Sequence, residues 1–184
     1  MTSEPGLIDT AERIAALLAD RGTGTIVIGA AALAAHRYVR FTEDFDLGVS
    51  VPIRDLAGIV DFLRNEGYHA TLREPDGDDP LGGVIDVDGR FGVVQIVNFG
   101  DRFPAVIENA MAEATEPVRP GGNLRVVPLP HLVALKLYAG GMKSNADIVE
   151  LLRRNPSADR AGIRALCRRY RLKGLERLIR EADG

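Results

Sequence analysis

Two aspartates separated by a single phenylalanine, Asp44 and Asp46 in the run Arg40-Phe41-Thr42-Glu43-Asp44-Phe45-Asp46-Leu47, are the residues of this chain best suited to chemistry. Side chains alternate across a strand, so both carboxylates fall on one face, with Phe45 and Leu47 on the other. Two carboxylates about 6.6 Å apart along a strand repel each other unless a cation lies between them. Hard oxygen ligands of this kind suit Mg²⁺, which takes one or two protein carboxylates and fills its other positions with water and phosphate oxygens. The competing reading is an exposed strand end with both acids solvated, and Asp-Phe-Asp alone favours it.

The preceding segment shifts that balance. Thr25-Ile26-Val27-Ile28 is a short β-branched strand running directly into Gly29-Ala30, where an alanine-rich helix begins. The free backbone N–H groups of a helix start suit an anion such as a triphosphate, and glycine lets the backbone approach it closely. A Gly-Ala turn alone more often means close packing. A phosphate cradle followed at short range by an acid pair is far less common by chance.

Other elements must hold these two features in place. Apolar spacing predicts helices over Leu7 to Leu18, Ala30 to His36, Ile53 to Asn65, Phe103 to Ala114, Pro130 to Tyr138 and Asn145 to Arg154, then one or two more around a break near Gly174. Strands are expected at Phe45 to Val51, Tyr68 to Arg73, Val84 to Val87, Val93 to Phe99 and Leu124 to Val127. Asp88-Gly89 predicts the hairpin turn between two of them, and the Pro, Asp and Gly residues of 74–83 predict a loop. The order describes an α/β core over residues 1–128 followed by a small helical part over 129–184.

These motifs resemble the DNA polymerase β-like nucleotidyltransferase superfamily, whose signature is an apolar residue and a small-residue turn, then Asp-apolar-Asp. Here Ile28-Gly29-Ala30 precedes Asp44-Phe45-Asp46-Leu47. A closer resemblance is to AbiEii-type abortive-infection toxins and related bacterial families, through the Arg-x-Thr-x-Asp-x-Asp run of Arg40, Thr42, Asp44 and Asp46. Those proteins also carry a Leu-x-x-Leu-Lys-Leu helix and an aspartate helix. Residues 130–139, with Lys136, and 146–152, with Asp147, look like that pair.

The resemblance spans residues 25–152 and implies a nucleotidyltransferase-type mixed sheet flanked by helices. It implies Mg²⁺ at Asp44 and Asp46, an NTP substrate, and nucleotide contacts from Gly29, Ala30, Arg40, Thr42, Lys136 and Asp147. A toxin–antitoxin role with an antitoxin partner follows only by analogy.

Two departures stand out. Ala30 replaces the usual Gly or Ser, a mild change. In Val94-Gln95-Ile96-Val97, Gln95 takes the place of the family's third carboxylate. A glutamine carbonyl is a weaker ligand and a poor base; Asp86, on the neighbouring strand, is the candidate substitute catalytic acid.

Residue by residue, alternatives stay open. Lys136 could reach phosphates or snorkel from a helix edge. Asp147 could pair with Lys136 or Arg40, or sit in the first turn of its own helix. Thr42 fits the fixing of the strand's start better than contact with substrate. His36 and Tyr38 are expected at the surface.

Composition bounds the rest. The 184 residues are 46% hydrophobic and 27% charged, which suits an ordinary globular protein. No apolar run reaches the roughly 18–20 residues of a membrane span. The N-terminal residues lack a secretory pattern, and Cys167 is the only cysteine, so a cytoplasmic protein is expected. Cys167 reads as a packed helix residue. Residues 153–184 carry ten basic and four acidic side chains, which suits a solvated helix face, nucleic acid such as an RNA acceptor, or an acidic partner.

Three functions compete: transfer of a nucleoside monophosphate from an NTP to an acceptor hydroxyl of RNA, protein or a small molecule; a degenerate relative that senses nucleotides or binds proteins; and an unrelated α/β protein.

Overall fold

Alternation along three strands decides how the sheet is covered. Phe45, Leu47 and Val49, Ile85 and Val87, and Val94 and Ile96 are buried together against Ile14, Leu18, Leu56 and Leu63 on one face. On the other face Ile26, Val84 and Val97 join Leu33, Ile107, Leu132, Ile148, Ile163 and Leu178. The computed structural model describes residues 5–77 and 79–184. The reading of the N-terminus therefore falls partly on residues 1–4, outside the described residues, as does residue 78 of the 74–83 loop.

The elements run α1 (Leu7–Ala19), β1 (Ile26–Val27), α2 (Gly29–Ala35) and β2 (Asp44–Val49). A short 3-10 turn (Ile53–Asp55) then leads into α3 (Leu56–Asn65), followed by β3 (His69–Arg73), β4 (Val84–Gly89) and β5 (Gly92–Asn98). The helices α4 (Pro104–Glu113), α5 (Leu129–Ala139), α6 (Gly141–Arg154), α7 (Arg160–Arg169) and α8 (Leu175–Asp183) complete the chain. The sheet order is β1-β2-β5-β4-β3. Only β2 and β5 pair in parallel, so the sheet is mixed. α1 and α3 cover one face; the other helices cover the opposite one. Residues on both sides of position 128 meet in that second core. No helix among the described residues is long and apolar enough to cross a membrane.

The structure corrects three details. The β4–β5 turn lies at Arg90 and Phe91 because Gly89 still pairs with Gly92, while Asp88 faces Val93 inside the ladder. Leu124 to Val127 makes no regular strand: Val126 only bridges Val27, at the sheet's β1 edge, where backbone bonds run from Val27 N–H to Arg125 and from Val127 N–H to Val27. α6 begins at Gly141 rather than Asn145, since the chain reverses at Gly140 (φ 68°, ψ −168°) and needs no further residues to restart.

Asn98, fully buried at the end of β5, fastens the loops at this end of the sheet. Its Oδ1 accepts from the backbone N–H of Val51 and of Gly100, each at 3.0 Å. Its Nδ2 donates to the carbonyls of Val51 at 3.0 Å and Gly82 at 3.1 Å. Removing this amide strands two buried and two part-buried backbone groups at once. Asn98→Leu is expected to cost about 3 kcal/mol or more in urea denaturation, and a loss below about 1 kcal/mol would contradict this role.

Candidate functional site

Strand register assembles the site. Asp46 lies beside Gln95 in the parallel β2–β5 pair, Gln95 faces Asp86, and Asp86 faces Thr71. These residues form one row across the sheet, on the face turned to α2 and α5. Asp44, two residues back on β2, shares that face.

Gly29 is fitted to Asp46. A Cβ built on Gly29 would lie 1.7 Å from Oδ2 of Asp46, and the backbone there has φ +63°. Both facts demand glycine. The backbone N–H of Ala30 lies near the Asp46 carboxylate and helps to lower its pKa. The helix start expected to be open for an outside anion is thus partly occupied by the protein's own carboxylate, and α2 is a helix of only seven residues.

The electrostatics of Asp46 follow from this seat. Burial raises its pKa above the usual carboxylate value and the nearby charge of Asp44 raises it further; Lys136, the Ala30 N–H and Arg40 pull it back down. Lys136 and Arg40 converge on Asp147, which is 2% exposed. Nζ of Lys136 donates to Oδ2 of Asp147 at 2.7 Å, and Nη1 of Arg40 donates to Oδ1 at 3.1 Å. Asp147 pairs with both cations and lies well inside α6, past its first turn. Beside Asp46 a cleft of about 190 Å³ opens, lined by Ile28, Gly29, Leu132, Lys136 and Ser144 among others.

The remaining candidates are placed as follows. Thr42 accepts from the N–H of Asp44 at 3.2 Å, so its hydroxyl holds the start of β2. Asp86 is gripped by Arg73 and accepts from Gln95; β5 separates it from the acid pair. The histidines lie in other contacts: His36 Nε2 donates to the Val127 carbonyl, His69 bonds Asp88, and His131 is buried near Glu113. Tyr38 is packed beneath the Arg154 guanidinium. Cys167 is buried, and that burial pushes its thiol up to about 11, so it is chemically quiet. Many tail arginines are paired at home, Arg160 with Asp183, Arg164 with Glu176 and Arg177 with Glu181.

Sequence reasoning did not single out Arg73 or Ser144. Arg73 stands on the acid-bearing face only because β3 pairs with β4, and no short-range signal announces that pairing. Among the described residues no three His, Cys, Asp or Glu side chains gather into a metal cage. Two carboxylates with a cleft beside them still fit Mg²⁺, which borrows its other oxygens from water and phosphate.

No family model matches this sequence, and no curated protein matches it. Among solved structures, an antigenic nucleotidyltransferase-like protein from Paracoccidioides brasiliensis aligns over 96% of this chain and 92% of its own, at 15% identity and a TM-score of 0.53. The antibiotic-resistance factor ANT(2'')-Ia aligns over 90% of this chain and 89% of its own, at 18% identity and a TM-score of 0.46. The first of these likenesses shows the fold: a five-stranded mixed sheet flanked by helices, as in nucleotidyltransferase-like proteins.

A raised carboxylate pKa means that the native state binds more protons than the unfolded chain between the ordinary value and the native one. The stability Asp46 contributes is therefore intact below about pH 3.9 and lost as pH rises through its native pKa. In metal-free buffer Asp46→Asn is expected to exceed the wild type in stability at neutral pH, with the margin closing toward about pH 4. Urea denaturation across that range checks this; a wild type at least as stable throughout would contradict it.

Proposed function

We propose that this chain binds a nucleoside triphosphate with Mg²⁺ and transfers its nucleoside monophosphate to an acceptor hydroxyl. The observation that carries the reading is the seating of Asp46 on Gly29, with Asp44 beside it, at a cleft flanked by Lys136. Asp44 and Asp46 would hold the ion, which would supply positive charge to offset the charge that develops in in-line displacement. Gly29 keeps side-chain atoms out of the space beside the carboxylates. Lys136 and Arg40 share the single negative charge of Asp147, so together they keep a positive surplus toward the acid pair. The acceptor hydroxyl gives up its proton to water as its oxygen attacks the α-phosphorus, and pyrophosphate departs as the α–β anhydride bond breaks.

RNA is one acceptor class, supported by the exposed Arg168, Arg171 and Lys173 of the α7–α8 region. A toxin–antitoxin setting draws its support from the run of Arg40, Thr42, Asp44 and Asp46. A second reading, nucleotide binding without transfer, is favoured by Gln95, an amide where the resemblance places a third acid.

Calorimetric titration with an NTP and Mg²⁺ is expected to show metal-dependent binding that Asp46→Ala abolishes. With α-labelled NTPs and total RNA, protein or small-molecule acceptors, label transfer is expected to fall more than about a hundredfold in Asp46→Ala. Binding without transfer would favour the second reading; no nucleotide binding would remove both.

A further inference from the structure

Arg73, Asp86 and Gln95 form a hydrogen-bonded line that ends beside Asp46. Nε of Arg73 donates to Oδ2 of Asp86 at 2.6 Å, and Nη2 donates to Oδ1 at 3.0 Å. That same Oδ1 accepts from Nε2 of Gln95 at 2.8 Å. A carboxylate only accepts, so Asp86 dictates which arm of the amide faces it: the nitrogen turns toward Asp86 and Oε1 turns away. Turning the amide over would lose that charge-assisted bond and set two acceptors against each other. Asp86 on β4 and Asp46 on β2 flank Gln95 in one row, and Oε1 has no hydrogen-bond partner among the described residues.

The line contributes little to holding the fold. Arg73 is 55% and Asp86 24% exposed at the side chain, and pairs this wet add little to stability. A two-pronged grip on an acid that in turn orients an amide makes more sense as aim than as glue.

We propose that Gln95 supplies a third, neutral protein oxygen to the divalent-ion site of Asp44 and Asp46, with Asp86 and Arg73 as its positioning residues. This rests on the reading above that the acid pair holds an ion. It gives Asp86 a role other than that of a substitute acid: it acts through Gln95. A neutral donor adds no negative charge to a cluster in which Asp44, Asp46 and Asp147 face Lys136 and Arg40, a surplus of one negative charge. Such a cluster suits a single ion whose remaining charge balance comes with the triphosphate, rather than two ions.

Mn²⁺ binding to the full chain without nucleotide, followed by the electron paramagnetic signal of the free ion, tests this apart from any activity. Gln95→Leu is expected to weaken Mn²⁺ roughly 10-fold or more, and Asp86→Asn by a similar factor, with the thermal midpoint of each close to wild type. Added to Gln95→Leu, Asp86→Asn is expected to do nothing further, because its effect passes through the amide. Gln95→Glu is expected to tighten binding. Unchanged affinity in Gln95→Leu, or an Asp86→Asn effect that persists in the Gln95→Leu background, would overturn the proposal while leaving the acid pair standing. Wild-type protein that binds no Mn²⁺, or binds it equally well as Asp46→Asn, would overturn this proposal and the functional reading together.

Discussion

Asp147 is a carboxylate sunk into an apolar core, and two cations meet it there: Lys136 at 2.7 Å and Arg40 at 3.1 Å. Burying such a group costs several kcal/mol per ion unless geometry and extra hydrogen bonds repay it, and removing one partner of a buried pair is far more harmful than never having built it. The three residues come from the loop before β2, from α5 and from α6. Their meeting therefore decides where β2 begins relative to the helices above the sheet. Arg40 is held four residues before Asp44, and Lys136, bonded to Asp147, is close enough to Asp46 for its charge to lower the Asp46 pKa.

Around that knot the acid pair is a place of deliberate conflict. Asp46 is half-buried against Gly29, faces the charge of Asp44, and receives only partial relief from Lys136, Arg40 and one backbone N–H. Nothing about this arrangement favours the fold by itself. Strain of this sort collects at functional positions, where surrounding structure over-determines it. A divalent ion would answer the repulsion between the acids, and its hard-oxygen preference matches the donors present.

Much of this was readable from residue order, and the unreadable parts share a cause. The alternation of Asp44, Phe45, Asp46 and Leu47 implied one acid-bearing face and one apolar face, as found, with Phe45 and Leu47 in the core. Apolar spacing likewise placed α1 and α3 within a residue or so, apart from the 3-10 turn that opens the second. What short-range pattern could not reveal depended on partners far along the chain. Asp88-Gly89 has strong turn chemistry, but Asp88 bonds His69 across β3, and the ladder runs on for two more residues. Gly29 was read as space for an outside anion, whereas the antiparallel β1–β2 register brings Asp46 onto it. Arg73 and Asn98 carried no local signal at all: one needs the β3–β4 pairing to face the site, the other needs two distant loops to bond.

The central claim, a divalent ion shared by Asp44 and Asp46 against Gly29, can be mapped directly by adding substoichiometric Mn²⁺ to isotope-labelled protein and recording amide resonances. The account predicts broadening centred on residues 29–30, 44–46 and 95, spreading to Lys136 on the facing helix. Broadening centred instead on the acidic sequence 74–79 or the C-terminal helices, with the Asp44 and Asp46 amides sharp, would contradict it.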